Sequence, residues 1–168
     1  VRKLLELGLD VIVVDDGSTD RSANLAQATG AFVVKQPQNF GYEQALGAGF
    51  NEALKRGFGR VLTFDGDGQF DPLDVQAFLD CQDNSGAELV IGVRDFRNRK
   101  VELLLSIFGR YRFGVKDPLC GLKLYLTSSS APFLPFDTLR LVGMQLAFTM
   151  IQHGCHFQQC PVRVNKRE

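Results

Sequence analysis

Two short, largely apolar runs, Val11–Val14 and Val61–Phe64, each deliver paired carboxylates at their ends: Asp15-Asp16 after the first and Asp65-Gly66-Asp67 after the second. A run of four such residues closed by turn-forming residues reads as a strand buried on both faces. Each is followed by a stretch with helical spacing. After the first, Gly17-Ser18-Thr19-Asp20 makes a turn and a helix is predicted over Ser22–Thr29. A strand at Ala31–Val34 comes next, and Glu43–Arg56 then places Ala45, Leu46, Gly49, Phe50, Ala53 and Leu54 on one helical face until Gly57 stops it. This alternation predicts an α/β domain with a largely parallel sheet.

Beyond the second carboxylate pair, Asp71 as N-cap and Pro72 at the first helical position predict a helix running towards Leu79. Leu89–Val93 reads as another strand, ending at Arg94. The remainder reads as a strand near Leu122–Leu126, a helix near Leu141–His153 and a strand over Phe157–Val164, with nothing to mark a second domain. Ligands of open parallel sheets bind outside the carboxyl ends of the strands. Asp15, Asp16, Asp65, Asp67 and Arg94 all fall at such ends, which makes them the candidate site.

Asp65 and Asp67, one residue apart on a loop, are suited to share a hard divalent cation such as Mg²⁺ or Mn²⁺, which takes oxygen ligands and keeps waters and substrate phosphates. An EF-hand is excluded: counting from Asp65, the sixth position is Phe70 where Gly is needed and the twelfth is Gln76 where Glu is needed. A phosphatase-type nucleophile with its acid partner, or a plain Asp-Gly turn, also fits this motif alone. The Asp15-Asp16 pair can accept hydrogen bonds from a ribose or a base N–H, though Asp-Gly-Ser is equally a good turn. Neither common glycine-rich phosphate loop is present, since Gly121-Leu122-Lys123 lacks the required spacing.

Charge narrows the partners. With 19 basic and 19 acidic side chains, bulk attraction to nucleic acid or to a membrane surface is excluded, so an anion must be gripped locally. The one basic stretch runs from Arg94 through Arg97, Arg99, Lys100, Arg110 and Arg112 to Lys116 around the apolar Val101–Phe108, and reads either as a solvated helix or as a surface for phosphates or a membrane face. Cys81, Cys120, Cys155 and Cys160 match no usual zinc spacing and read as reduced thiols. The sequence has neither the apolar length of a membrane span nor a signal-peptide centre, so a soluble, intracellular chain is expected.

Taken in order, VVDDGSTD, Asn39 and Gly41 with Ala45 and Gly49, FDGDGQFDP, the run Ile91–Arg94, KDPLCGLKLY and the closing CPVRVNKR resemble the inverting glycosyltransferases of family 2, and within them the polyprenol-phosphate sugar transferases. The resemblance implies a GT-A type three-layer α/β/α sandwich with a mostly parallel, Rossmann-like sheet, in one catalytic domain over residues 1–168. It implies a nucleotide-sugar donor, GDP- or UDP-linked, a polyprenol-phosphate acceptor and work at the inner membrane face. By the same likeness Asp15 and Asp16 contact the nucleoside, Asp65 the nucleotide, and Asp67 with Asp65 and Gln69 the metal. Arg94 and Arg167 become phosphate clamps, and Asp117 the base or orienting group near the acceptor. A family member that builds polysaccharide and a catalytically silent nucleotide-binding domain are the competing readings. The sequence departs from the family pattern at Gln145, where an acidic residue is common, and the family's opening strand and closing tail are expected to lie outside Val1 and Glu168.

Overall fold

The structure, a computed structural model, describes residues 1–95, 100–134 and 144–165. The chain divides into two compact units. The first, Val1–Phe58, contains α1 (Arg2–Glu6), β1 (Ile12–Asp15), α2 (Ser22–Ala28), β2 (Phe32–Lys35) and α3 (Tyr42–Lys55). Strands β1 and β2 pair in parallel, Ile12 opposite Phe32 and Asp15 opposite Lys35. Helix α3 packs on β1 through Gly49, where an added Cβ would lie 3.3 Å from Val14 Cγ2, and buries Phe50 and Ala53. Helix α1 was not anticipated from the sequence; it buries only Leu4 and so leaves a weak periodic signal.

The second unit begins at Gly59. It holds β3 (Arg60–Thr63), α4 (Asp74–Ser85), β4 (Leu89–Arg94), α5 (Lys100–Phe113), β5 (Lys123–Leu126), α6 (Thr127–Ser130), α7 (Gln145–Gln152) and β6 (Phe157–Val162). Its sheet has the order β3-β5-β4-β6. Strands β4 and β6 are parallel, whereas β5 runs antiparallel to both β3 and β4, so one reversed strand stands inside the expected parallel sheet. Because β5 is reversed, its first residues lie beside the carboxyl ends of β3 and β4.

One sheet face carries Val90, Leu122, Leu124, Cys160 and Val162, packed with Phe70 and with Phe78 of α4. Fully burying a side chain such as Phe78 contributes roughly 1.5–3 kcal/mol. Helix α4 starts later than predicted, at Asp74, because Asp71 and Pro72 form a turn in which Asp71 Oδ1 accepts the Leu73 N–H at 3.0 Å. It extends to Ser85 and is closed by Gly86 at φ 67°. The predicted start of the helix near Leu141 lies outside the described residues. All four cysteines are free thiols, with Cys120 and Cys160 buried. No helix among the described residues is long and apolar enough to cross a membrane.

Glu88, just before β4, ties three elements together. Its carboxylate accepts the Ser129 hydroxyl at 2.6 Å and the His156 N–H at 2.9 Å. These bonds, the Ser129 hydroxyl foremost, hold its pKa below the ordinary glutamate range. A carboxyl whose pKa is depressed by folding stabilises the fold above its unfolded pKa and loses that contribution as the pH falls through the folded value. Wild type is therefore expected to be more stable than Glu88→Gln at neutral pH, with the difference closing at acid pH. Denaturant titrations across the acid range check this, and a pH-independent difference would refute it.

Candidate functional site

In the first unit, the end of β1 is locked to the loop before α3. Asp16 Oδ1 accepts the Phe40 N–H and Oδ2 the Gly41 N–H, both at 2.8 Å. Gly17, at φ 77°, lies so close beneath this loop that a Cβ would come within 2.5 Å of the Gln38 carbonyl carbon. No side chain fits there, and the φ itself favours glycine. Asp15 Oδ1 accepts the Ser18 N–H at 3.2 Å, an ordinary turn contact. Both carboxylates stand where the sequence placed them, at a strand end, and Asp16 also organises the start of α3.

In the second unit, Asp65 follows β3, and its carboxylate rests on Gly121. An ideal Cβ at Gly121 would stand 1.9 Å from Asp65 Oδ2 and 2.5 Å from its Cγ. Thr63 fixes the approach of the two strands, its hydroxyl donating to the Gly121 carbonyl at 2.6 Å. Asp67 is exposed, and its Oδ1 accepts the Gln69 N–H at 3.1 Å. Gln69 itself is buried, and its carbonyl accepts the Asn165 N–H at 2.9 Å, which ties the carboxylate loop to the segment after β6.

Beside this loop, at the end of β4, Arg94 grips Asp117. Asp117 is 1% exposed. Its Oδ2 accepts the Arg94 backbone N–H at 3.1 Å and Nε at 2.8 Å, and its Oδ1 accepts Nη2 at 3.0 Å. This is the fork-to-fork geometry in which a guanidinium is fixed in orientation. Removing one partner of such a buried pair costs about 3–5 kcal/mol. Asp117 as it stands therefore orients Arg94. The sequence reading noted the Asp-Pro turn here but had no means of seeing the pairing across 23 residues.

The second unit thus brings together Asp65, Asp67, Gln69, Arg94 and Asp117. Asp15 and Asp16 form their own locked strand end in the first unit. Arg167 lies outside the described residues. Among the described residues no three His, Cys, Asp or Glu side chains gather in a metal-holding arrangement. Two loop carboxylates nevertheless fit a Mg²⁺ or Mn²⁺ ion, which commonly takes one or two carboxylates and completes its shell with waters and substrate phosphates.

Two residues that the sequence reading named in Gly121-Leu122-Lys123 but gave no role belong to the same place. Gly121 is the cradle for Asp65, and Lys123, 3% exposed, lies directly across from Thr63 in the β3–β5 register. The available signal was a lysine inside the apolar run Leu122–Leu126, where a solvated charge has no place.

Helix α5 carries a different surface. Ile107, Phe108 and Tyr111 are exposed, Tyr111 at 93%, and so are Arg110, Arg112 and Lys116. Arg97 and Arg99 of the basic stretch lie outside the described residues, and Lys100 begins α5.

Residues 1–117 match the family described as Glycosyl transferase family 2. An uncharacterized protein of Methanocaldococcus jannaschii is 36% identical, over 92% of this chain and 69% of its own length. The polyprenol monophosphomannose synthase of Mycolicibacterium smegmatis is 34% identical over 68% of this chain, which spans half, 50%, of that enzyme. Among solved structures, glucosyl-3-phosphoglycerate synthase from Mycobacterium tuberculosis, in complex with Mn²⁺, UDP and glucosyl-3-phosphoglycerate, superposes with a TM-score of 0.75. It is 22% identical, and the match covers 95% of this chain and 61% of that one. The likeness gives the chain the α/β fold of GT-A glycosyltransferases.

Proposed function

The chain belongs to glycosyl transferase family 2, and from that premise we propose that it is the catalytic part of an inverting transferase that moves a sugar from a GDP- or UDP-linked donor to a polyprenol phosphate. The observation that carries this reading is the Asp65-Gly66-Asp67 loop, with Asp65 seated on Gly121 beside the Arg94–Asp117 pair. The acceptor class is supported by the name of the mycobacterial relative. It is supported independently by the exposed apolar and basic side chains of α5, which suit a bilayer with anionic headgroups. Peripheral contact at the inner face of the membrane belongs to the same proposal.

In this reaction the bond between the sugar's anomeric carbon and the donor's diphosphate oxygen breaks, and one from that carbon to an acceptor phosphate oxygen forms. The electron pair leaves on the nucleoside diphosphate. The acceptor phosphate is already ionised, so its oxygen attacks without losing a proton and no strong base is required. Asp117 then serves as the orienting group: it fixes the Arg94 guanidinium, which is assigned to phosphate oxygens together with Arg167. Asp15 and Asp16 are assigned to the nucleoside, and Asp65 to the nucleotide. Asp67, Asp65 and Gln69 would hold Mg²⁺ or Mn²⁺, and that ion, when bound, neutralises charge developing on the diphosphate. The remaining task of the protein is to hold two anions together in a fixed geometry.

The test is calorimetry with UDP and with GDP, each with Mn²⁺ and with EDTA, followed by incubation with labelled sugar nucleotide and polyprenol phosphate. Binding of one diphosphate only with metal, and label in the organic-extractable lipid, are expected. Label in water-soluble polymer would replace the lipid by a polysaccharide acceptor; absence of any diphosphate binding, both in this chain and with the upstream sequence restored, would make this a silent domain.

A further inference from the structure

The turn that follows α5 brings Asp117 to the Arg94 it orients, and a single side chain of β6 holds that turn on both sides. Gly114, at φ 71°, closes the helix, its N–H donating to the Arg110 carbonyl at 3.1 Å. Val115, fully buried, donates its N–H to the Gly109 carbonyl at 3.1 Å. Either side of Val115, Gln159 completes the turn: its Oε1 accepts the Lys116 N–H at 2.7 Å and its Nε2 donates to the Gly114 carbonyl at 3.0 Å. A carboxamide offers an acceptor and a donor side by side, and here each meets its complement. Turning the amide over would set NH₂ against N–H and oxygen against oxygen, so its partners fix its orientation.

The place of Gln159 in the sheet gives this contact its reach. Successive side chains of a strand alternate between faces. Cys160 and Val162 join the core with Phe78 of α4, which leaves Phe157 and Gln159 on the opposite face, where the Phe157 ring also comes within 3.7 Å of the Cβ position of Gly114. Strand β6 pairs with β4, Gln159 opposite Ile91 and Val162 opposite Arg94. The strand that carries Arg94 and the turn that carries Asp117 are thus both tied to β6. Asp117 follows Lys116 directly, and its bonds to the Arg94 N–H, Nε and Nη2 measure 3.1, 2.8 and 3.0 Å. A shift of Lys116 by about 1 Å, passed on to Asp117, would stretch them beyond hydrogen-bonding range. We propose that Gln159 is a positioning residue: it fixes the turn after α5 to β6 and, through Asp117, sets the orientation of the Arg94 guanidinium. Its consequence for phosphate binding rests on the transferase reading; the alignment of Arg94 does not.

The test is Gln159→Met, which keeps the length of the side chain and removes both bonds, read in the metal-free protein by the solvent exchange of the Arg94 Nε–H. The reference is the Gly92 N–H on the same strand, bonded to the Leu122 carbonyl at 3.0 Å, which reports opening of the sheet. In the variant the Arg94 Nε–H is expected to exchange at least about fivefold faster while Gly92 is unchanged. A merely structural glutamine would move both signals alike, and that result, or Arg94 exchange within about twofold of wild type, would overturn the proposal. Should Gln159→Met fail to fold, wild type still decides: the Lys116 N–H is expected to exchange at least about tenfold more slowly than an open amide, and an unprotected Lys116 N–H would overturn the bridge. In the folded variant, affinity for a nucleoside diphosphate in Mn²⁺ is expected to fall by about fivefold, as for one weakened hydrogen-bonded contact, and unchanged affinity would overturn that part. A wild type that binds no diphosphate would defeat the transferase reading and leave the exchange result standing, so the two failures are told apart.

Discussion

Asp67→Ala is expected to weaken metal-dependent binding of a nucleoside diphosphate by at least about a hundredfold, with the melting temperature within about 2 °C of wild type. The two halves of this result have separate causes. Orienting groups around a metal are each worth about 10- to 100-fold in affinity, and a direct ligand is worth at least as much. Asp67 has the character of a direct ligand: it is an exposed carboxylate on the loop, one residue from Asp65, and its Oδ1 accepts the Gln69 N–H two residues on. Stability is barely engaged, because an exposed loop carboxylate packs against no core and such changes lie within about 0.5 kcal/mol. Calorimetry with UDP and GDP in Mn²⁺, set beside a thermal melt, checks both halves. Unchanged Mn²⁺-dependent binding would remove Asp67 from the metal site.

Gly121→Ala is expected to reduce transferase turnover by about a hundredfold, the usual consequence of displacing a catalytic constellation by about 1 Å. The added methyl would stand 1.9 Å from Asp65 Oδ2. Contact at that distance is impossible, and the shortest escape is for the Asp65 carboxylate to leave its seat. The backbone has no objection of its own, since Gly121 is not among the glycines of positive φ. The effect should therefore fall on Asp65 rather than on strand conformation. Asp65→Asn in the Gly121→Ala background adds little further loss if the methyl has already displaced the carboxylate. Full additivity of the two changes would show that Gly121 acts elsewhere. Turnover measured at saturating donor, with the single and double variants side by side, decides it.

Much of this was legible in the sequence because it is local. The strand-end carboxylates, the helix over residues 42–55 and its stop at Gly57 follow from periodicity and turn chemistry within a few residues. The reversed direction of β5 was not legible, because an apolar run looks the same whichever way it enters a sheet. The late start of α4 was missed for a subtler reason. Asp71-Pro72 is as good a turn as it is a helix entrance, and the Asp71 carboxylate, bonded to the Leu73 N–H, closes it as a turn. The contacts that give the site its character, Arg94 to Asp117 and Asp65 to Gly121, join residues far apart in the chain, and no periodicity encodes them. Lys123 stood in plain view as a charge inside an apolar run.

The clamp of Asp16 on the Phe40 and Gly41 amides changes what the loop before α3 can be. Although Phe40 is exposed, both N–H groups are held by a carboxylate anchored to the end of a strand. Their exchange with deuterium is therefore set by the opening of β1 and α3 together, and these two surface amides will be protected like those of the sheet. The loop before α3 is thus tied at two amides to the end of β1.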